Sequence, residues 1–187
     1  VERDQIPAVI CANKVDLVSE KSARKAFSLY EKLGYPVLLT SAKTGKGLGA
    51  LRRTLKGRLS VLAGPSGAGK SSLLNRLIPG LGLRTSQVSR VSRRGLHTTV
   101  VPELLPLEGG GYVADTPGLK AFALWDIEPA ELDAYFREIR PLVQDCEFSD
   151  CSHIHEPGCA VIQAVERGKI SLERYESYLR IRMGEKG

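Results

Sequence analysis

Eight residues constrain this chain more than any others: Gly64-Pro65-Ser66-Gly67-Ala68-Gly69-Lys70-Ser71. They match G-x-x-x-x-G-K-[ST], the loop whose backbone wraps phosphate oxygens. Such a loop needs a buried strand before it and a helix after it. Leu59–Ala63 reads as the strand and Ser71–Ile78 as the helix. Glycines allow successive N–H groups to turn inward, and the helix N-terminus adds a favourable dipole. Lys70 is then placed to bridge β- and γ-phosphates, Ser71 to ligate Mg²⁺, and Ser72 to extend the phosphate contacts.

Around this unit, short apolar segments alternate with helical ones. Ala8–Cys11 and Pro36–Thr40 read as strands, and Ser22–Leu33 and Leu48–Leu55 as helices, the first ended by Gly34. Val100–Leu107 and Gly111–Ala114 flank Glu108-Gly109-Gly110 as a hairpin. The alternation predicts an α/β fold with a mostly parallel central sheet. From about Trp125 the pattern becomes helical except around the cysteines. Leu132, Tyr135, Phe136 and Ile139 form one apolar stripe, and Leu172, Tyr175, Tyr178 and Leu179 another; both are expected in a core. Residues 1–123 are predicted as one domain, with 1–58 and 59–123 as its halves, and residues 124–187 as a second.

A phosphate loop does not choose the base. Asn13-Lys14-Val15-Asp16 follows the first strand, and Ser41-Ala42-Lys43 follows the second. Guanine offers two adjacent N–H donors that one carboxylate, that of Asp16, can accept together. Adenine lacks this pair and leaves the carboxylate unpaired. Asn13 can bond the base edge or brace the loops, the Lys14 stem can lie along the ring, and a backbone N–H of Ser41–Lys43 can reach the guanine oxygen. Asp115-Thr116-Pro117-Gly118 matches D-x-x-G: Asp115 is expected to hold a Mg²⁺-bound water and Gly118 to donate to the γ-phosphate. One of Thr98 and Thr99 completes the Mg²⁺ shell in this reading and orders the basic segment with Arg84, Arg90, Arg93 and Arg94 when GTP binds. Those arginines are expected to meet RNA phosphates or to lie in a solvated loop. Leu119 stands where many GTPases place a water-orienting glutamine. His97, whose neutral imidazole can hold a water near pH 7, is the catalytic candidate.

Charge divides the chain: residues 1–123 hold 19 Lys and Arg against 8 Asp and Glu, and residues 124–187 hold 8 against 13. The basic part suits a phosphate-rich partner. No apolar run reaches membrane-spanning length and no signal peptide is seen, so a cytoplasmic monomer that continues upstream of Val1 is expected. Cys11, alone in an apolar run, reads as a buried core residue. Cys146, Cys151, His153 and Cys159 supply three thiolates and an imidazole, a complete tetrahedral set for one structural Zn²⁺, with His155 as rival to His153.

The motif order is permuted, since N-K-x-D and S-A-K precede the phosphate loop and D-x-x-G. With P-S-G-x-G-K-S-S, H-T-T, D-T-P-G and the cysteine cluster, the chain resembles the RsgA/YjeQ family of circularly permuted GTPases along essentially its whole length. The resemblance implies hydrolysis of GTP to GDP with Mg²⁺, a structural zinc held by His153, and a role in late maturation of the bacterial small ribosomal subunit. It implies ribosomal RNA as partner and stimulation by the subunit, and it favours His97 as the catalytic group. The family's N-terminal OB-fold is not visible here, nor is the strand and helix that precede N-K-x-D. Two other readings are carried forward. One is a GTP-dependent binding switch with negligible hydrolysis of its own. The other is a small-molecule kinase, which Asn13–Asp16 and the lack of an acceptor lid oppose.

Overall fold

The computed structural model describes residues 1–83, 103–115 and 127–184, with only the backbone described at 103 and 115. The chain divides into two units, Ala8–Phe122 and Val1–Pro7 with Ala123–Gly187.

In the first unit, β1 (Ile10–Ala12) pairs in parallel with β2 (Val37–Leu39), Ile10 opposite Val37 and Ala12 opposite Leu39. The crossover between them is α1 (Glu20–Lys32), whose N-cap Ser19 accepts from the Ser22 N–H at 3.1 Å. After β2 come α2 (Leu48–Leu55), β3 (Leu59–Val61), α3 (Lys70–Leu77) and the hairpin of β4 (Glu103–Pro106) and β5 (Tyr112–Asp115). β5 is the middle strand of the second sheet, parallel to β3 and antiparallel to β4. Among the described residues the strands thus form a pair and a triplet, and two of the three pairings are parallel.

One core serves this unit. Leu48, Leu51 and Leu55 of α2 recur on one helical face, as do Leu73, Leu74 and Leu77 of α3. Both faces pack with Leu105 and with Val113, which is fully buried at the centre of the triplet. Each buried leucine contributes about 1.5–3 kcal/mol of apolar transfer. Gly47 starts α2 with φ +73°, and a β-carbon there would sit 2.1 Å from the Leu39 carbonyl oxygen. Glycine therefore lets the loop after β2 fold tightly back on the strand. Cys11 is half-buried rather than buried, because β1 is paired along one side only among the described residues.

The second unit contains 3-10 segments at Pro129–Tyr135 and Arg140–Asp145, then α4 (Ala160–Glu166) and α5 (Leu172–Arg182). Its core joins Leu132, Phe136 and Ile139 with Val161, Ala164, Ile170 and the fully buried Tyr178. Phe136 meets the Tyr178 ring edge-on at 5.3 Å. Glu138 pairs with Arg174 at 2.6 Å, and Glu2 of the N-terminal segment with Arg137 at 2.9 Å. The stripe on α5 differs from expectation at Leu172, which is 61% exposed. A helix turns about 100° per residue. Tyr178 sets the buried direction, so Leu172 points about 120° away from it.

Candidate functional site

The first site grows from the ends of β1 and β2. Lys14 takes a left-handed conformation, φ 67°, which turns the chain sharply after β1 and into the 3-10 turn Val15–Leu17. Asn13 is thereby aimed across the gap to the phosphate loop. Its Nδ2 donates to the Ala68 carbonyl at 3.0 Å, and its Oδ1 accepts from the Ala42 N–H at 3.2 Å. Asn13 braces three loops at once, and Gly69 has no room for a side chain beneath it. A β-carbon at Gly69 would lie 2.3 Å from Asn13 Nδ2.

Two residues hold these side chains in place. Thr40, fully buried at the end of β2, sets its hydroxyl 3.4 Å from Asn13 Oδ1 and 3.2 Å from Cys11 Sγ. Ser41, also fully buried, donates its hydroxyl to Asp16 Oδ1 at 2.5 Å and accepts from the Thr44 N–H at 3.1 Å. The hydrogen bond from Ser41 holds the Asp16 carboxyl below the ordinary carboxylate range, assisted by the Lys43 charge. Asp16 is thus an ionised, oriented acceptor. Neither the side-chain role of Ser41 nor that of Thr40 is legible from motif matching. The available signal is a pair of hydroxyls at the end of an apolar strand, where a buried polar group requires a partner.

Asn13, Lys14, Asp16, Leu17, Ala42 and Lys43 line a cleft of about 470 Å³ with Gly69 and Ser72. That is within the usual range of roughly 300–1,000 Å³ for small-molecule sites. The cleft joins the loops after β1 and β2 to the loop between β3 and α3. Along that loop, Lys70 Nζ donates to the Gly64 and Pro65 carbonyls at 2.7 and 3.0 Å, which keeps the ammonium over the loop. The N-cap of α3 is Gly69, which has no side chain to cap the helix, and the first N–H groups of any helix lack helical partners. Asp115 ends β5, one residue past the Val61–Ala114 pairing, and β5 runs parallel to β3. Its backbone therefore lies at the sheet edge from which the phosphate loop departs. His97, Thr98, Thr99 and Gly118 lie outside the described residues, as do Arg84, Arg90, Arg93, Arg94 and Leu119.

The second site lies in the C-terminal unit. The donor atoms of Cys146, Cys151, His153 and Cys159 all fall within 4.8 Å of one another. His153 Nδ1 is 3.6 Å from Cys146 Sγ and 3.4 Å from Cys159 Sγ, and those two sulfurs are 4.0 Å apart. Tetrahedral zinc, with ligands at 2.0–2.3 Å, needs donors about 3.3–3.8 Å apart. The four residues fit the ion. Burial pushes the Cys151 thiol up to about 12 and raises Cys159 as well. A divalent cation reverses that preference and keeps the sulfurs as thiolates. His155 is exposed, whereas His153 is fully buried.

The loop is shaped by residues outside the ligand set. His153 Nε2 faces Asp133 Oδ2 at 3.3 Å, which leaves Nδ1 toward the sulfurs. The hydroxyls of Tyr175 and Tyr178 donate to the carbonyls of His153 and Ser152 at 2.6 and 3.0 Å. Glu156 accepts from the N–H groups of Ser152, Ile154 and His155 and from the Ser152 hydroxyl. Burial alone would raise the Glu156 carboxyl, but these donors outweigh it and hold the group ionised. His153 itself has φ 61°, a conformation these bonds sustain. Asp133, Tyr175 and Tyr178 were not readable as parts of this site, because they reach it from other elements; Glu156 lies inside the ligand loop, but no motif marks its role.

The two halves, with guanine-type loops before the phosphate loop, define the class: a GTPase fold in circularly permuted order. The crystal structure of YjeQ from Thermotoga maritima matches with a TM-score of 0.79 and 44% identity over 98% of this chain and 61% of that one. YloQ, described as a circularly permuted GTPase, matches with a TM-score of 0.74 and 35% identity over 98% and 58%. The small ribosomal subunit biogenesis GTPase RsgA of Gemmatimonas aurantiaca is 51% identical over 181 residues, 97% of this chain and 59% of that protein. Its counterpart in Thermotoga neapolitana is 48% identical over 183 residues, 96% and 61%. The RsgA GTPase family model matches residues 1–125. The chain belongs to the RsgA GTPase family, and it spans about three fifths of the length of these relatives. Among the described residues no helix is long and apolar enough to cross a membrane.

Proposed function

We propose that this chain binds GTP in the cleft between Asn13–Asp16, Ser41–Lys43 and Gly64–Ser72, and hydrolyses it during maturation of the small ribosomal subunit. The observation that carries this reading is the single cleft that joins an ionised Asp16 to the start of the phosphate-loop helix. Asp16 accepts the two guanine donors, Asn13 and Gly69 hold the cleft walls at a fixed spacing, and the Lys14 stem lies along the base. Lys70 and the N–H groups of Gly67–Ser72 take the phosphates. Mg²⁺, held by Ser71 and one of Thr98 and Thr99, with Asp115 through water, supplies charge neutralisation at the β- and γ-phosphates. His97 orients the attacking water, and Gly118 donates to the γ-phosphate. Zn²⁺, held by Cys146, Cys151, His153 and Cys159, staples the C-terminal unit. The partner is the small subunit and its rRNA, and the protein acts as a cytoplasmic monomer. The names of the relatives support the ribosomal part of this reading.

Turnover of GTP with and without purified small subunits tests it. Subunits should stimulate the wild type, and His97→Ala should lose most of that stimulation, by about 10²-fold, the low end for a positioned proton-transfer or water-orienting group. Absence of stimulation in the wild type would reject the ribosomal reading. Leu119 favours one competing reading, a switch that binds GTP but hydrolyses negligibly by itself; single-turnover rates with saturating subunits separate the two.

The contact between Ser41 and Asp16 makes a pH prediction. Asp16 titrates below the ordinary range in the folded protein. Guanine affinity that depends on its charge is present above that pKa and is lost as pH falls through it. Ser41→Ala removes the main cause of the shift. The affinity of the variant should start to fall at higher pH than that of the wild type, as followed by nucleotide titrations from about pH 6 down to about pH 3, since an ordinary aspartate titrates near 3.9. Superimposable profiles would mean that Ser41 does not set the state of Asp16.

A further inference from the structure

Between Glu31 and Glu103 the sequence contains no Asp or Glu at all, but thirteen Lys and Arg. At the chain's average density (21 acidic residues in 187) this stretch would hold about eight. A surface built for solubility intersperses both signs. Here the structure gathers part of the unbalanced charge on one ridge. α2 and α3 turn their leucines into the core, which leaves Arg52 and Arg53 on the outer side of α2, Lys56 at its C-cap and Arg76 on the outer side of α3, all exposed. The helices are linked there, Arg52 Nη2 donating to the Arg76 carbonyl at 2.7 Å. Among the described residues no carboxylate lies within ion-pairing distance of these four cations, whereas nearby Lys46 is neutralised by Glu20 at 2.7 Å. Arg76 reaches Gly45, where a β-carbon would sit 3.1 Å from its Nη2, so the ridge adjoins the loop that carries Ala42 and Lys43.

Four like charges held side by side repel one another, and a polyanion relieves that repulsion. We infer that the α2–α3 ridge, through Arg52, Arg53, Lys56 and Arg76, docks the phosphate backbone of RNA. The exposed positions of α2 and its C-cap are Gly49, Arg52, Arg53 and Lys56, with no apolar or aromatic side chain among them. Protein interfaces rely on such anchors, whereas guanidinium forks suit phosphate. The choice of rRNA as the occupant rests on the ribosomal reading above; the ridge as an RNA surface does not. None of the four residues lines the nucleotide cleft.

The test compares wild type with the triple variant Arg52→Gln, Arg53→Gln, Lys56→Gln and with Arg76→Gln. Glutamine keeps helix propensity at exposed sites. Binding to intact small subunits, to protein-free rRNA and to an unrelated RNA hairpin is measured from 50 to 200 mM salt, with GTP affinity as the folding control. The triple variant should bind RNA about tenfold more weakly or worse, and the slope of log affinity against log salt should drop by about 2, the loss of two to three phosphate contacts. Arg76→Gln should lower it by just under 1. GTP affinity should not change. If wild type and variants share one RNA affinity and one slope, the ridge is no docking surface. Weakened binding to subunits with unchanged binding to protein-free rRNA also overturns it, and points to a ribosomal protein. A wild type that binds the hairpin through the ridge but ignores subunits sinks the ribosomal reading and leaves the ridge standing.

Discussion

Asp16→Asn should weaken GTP binding by about 10²–10³-fold while leaving the fold intact. The wild-type carboxylate is ionised and oriented by the Ser41 hydroxyl on Oδ1, and a carboxylate has lone pairs enough on its two oxygens to accept from a base edge as well. Guanine matches it with two donors. An asparagine amide offers one acceptor and one donor group, so one guanine N–H would face an N–H. Xanthine carries a carbonyl where guanine has its amino group, and the amide donor can meet it. The same substitution should therefore bring xanthosine triphosphate affinity up as GTP affinity goes down, with ATP poor throughout. Titration of the three nucleotides against both proteins decides the matter. Unchanged GTP affinity in the variant would remove Asp16 from base recognition and with it the assignment of the cleft.

The second large effect is expected at the cysteine cluster. The purified chain should hold one zinc, and Cys159→Ala should lose it. Chelation or that substitution should unfold the C-terminal unit, visible as loss of near-ultraviolet dichroism from Phe136, Tyr175 and Tyr178. The unit has few buried apolar side chains, about as many as its short helices and 3-10 segments can supply. A domain of this size is marginal without a staple. The apparent free energy of structural zinc, about 10–16 kcal/mol in small zinc-folded peptides, exceeds what that core can supply. Nucleotide binding should survive, since every residue lining the cleft belongs to the other unit. A metal-free protein with unaltered dichroism would show that the cluster is a packed thiol core. The two predictions address separate units and can fail separately.

Much of this was readable because local chemistry dictates it. Gly64–Ser71 requires a strand before and a helix after, and β3 and α3 stand there, although Leu59 and Val61 of β3 are exposed where a buried strand was expected. Glu108-Gly109-Gly110 between apolar runs turns the chain back on itself, and β4 pairs antiparallel with β5. The cysteine and histidine spacing suits one ion, and the four donor atoms converge. The sequence also carried the permuted order of the motifs, from which the family followed.

Other features depend on neighbours distant in the chain, which local pattern cannot report. The half-burial of Cys11 and the exposure of Leu172 depend on which strand edge is paired and how a helix is rotated. Asn13 could be read as touching the base or bracing the loops; the fold commits its amide to Ala68 and Ala42, 55 and 29 residues away. Ser41 and Thr40 acquired their roles because β2 pairs with β1 in a register that sets two buried hydroxyls behind Asn13 and Asp16. Asp133, 20 residues from His153, supports the histidine loop for the same kind of reason. Residue types and their spacing thus determined what chemistry the chain carries, since a phosphate loop, a guanine carboxylate and a thiolate set are each defined within a few residues. Tertiary structure decided which side chains orient them, because a hydrogen bond acts over about 3 Å and takes its partner from whatever the fold brings there.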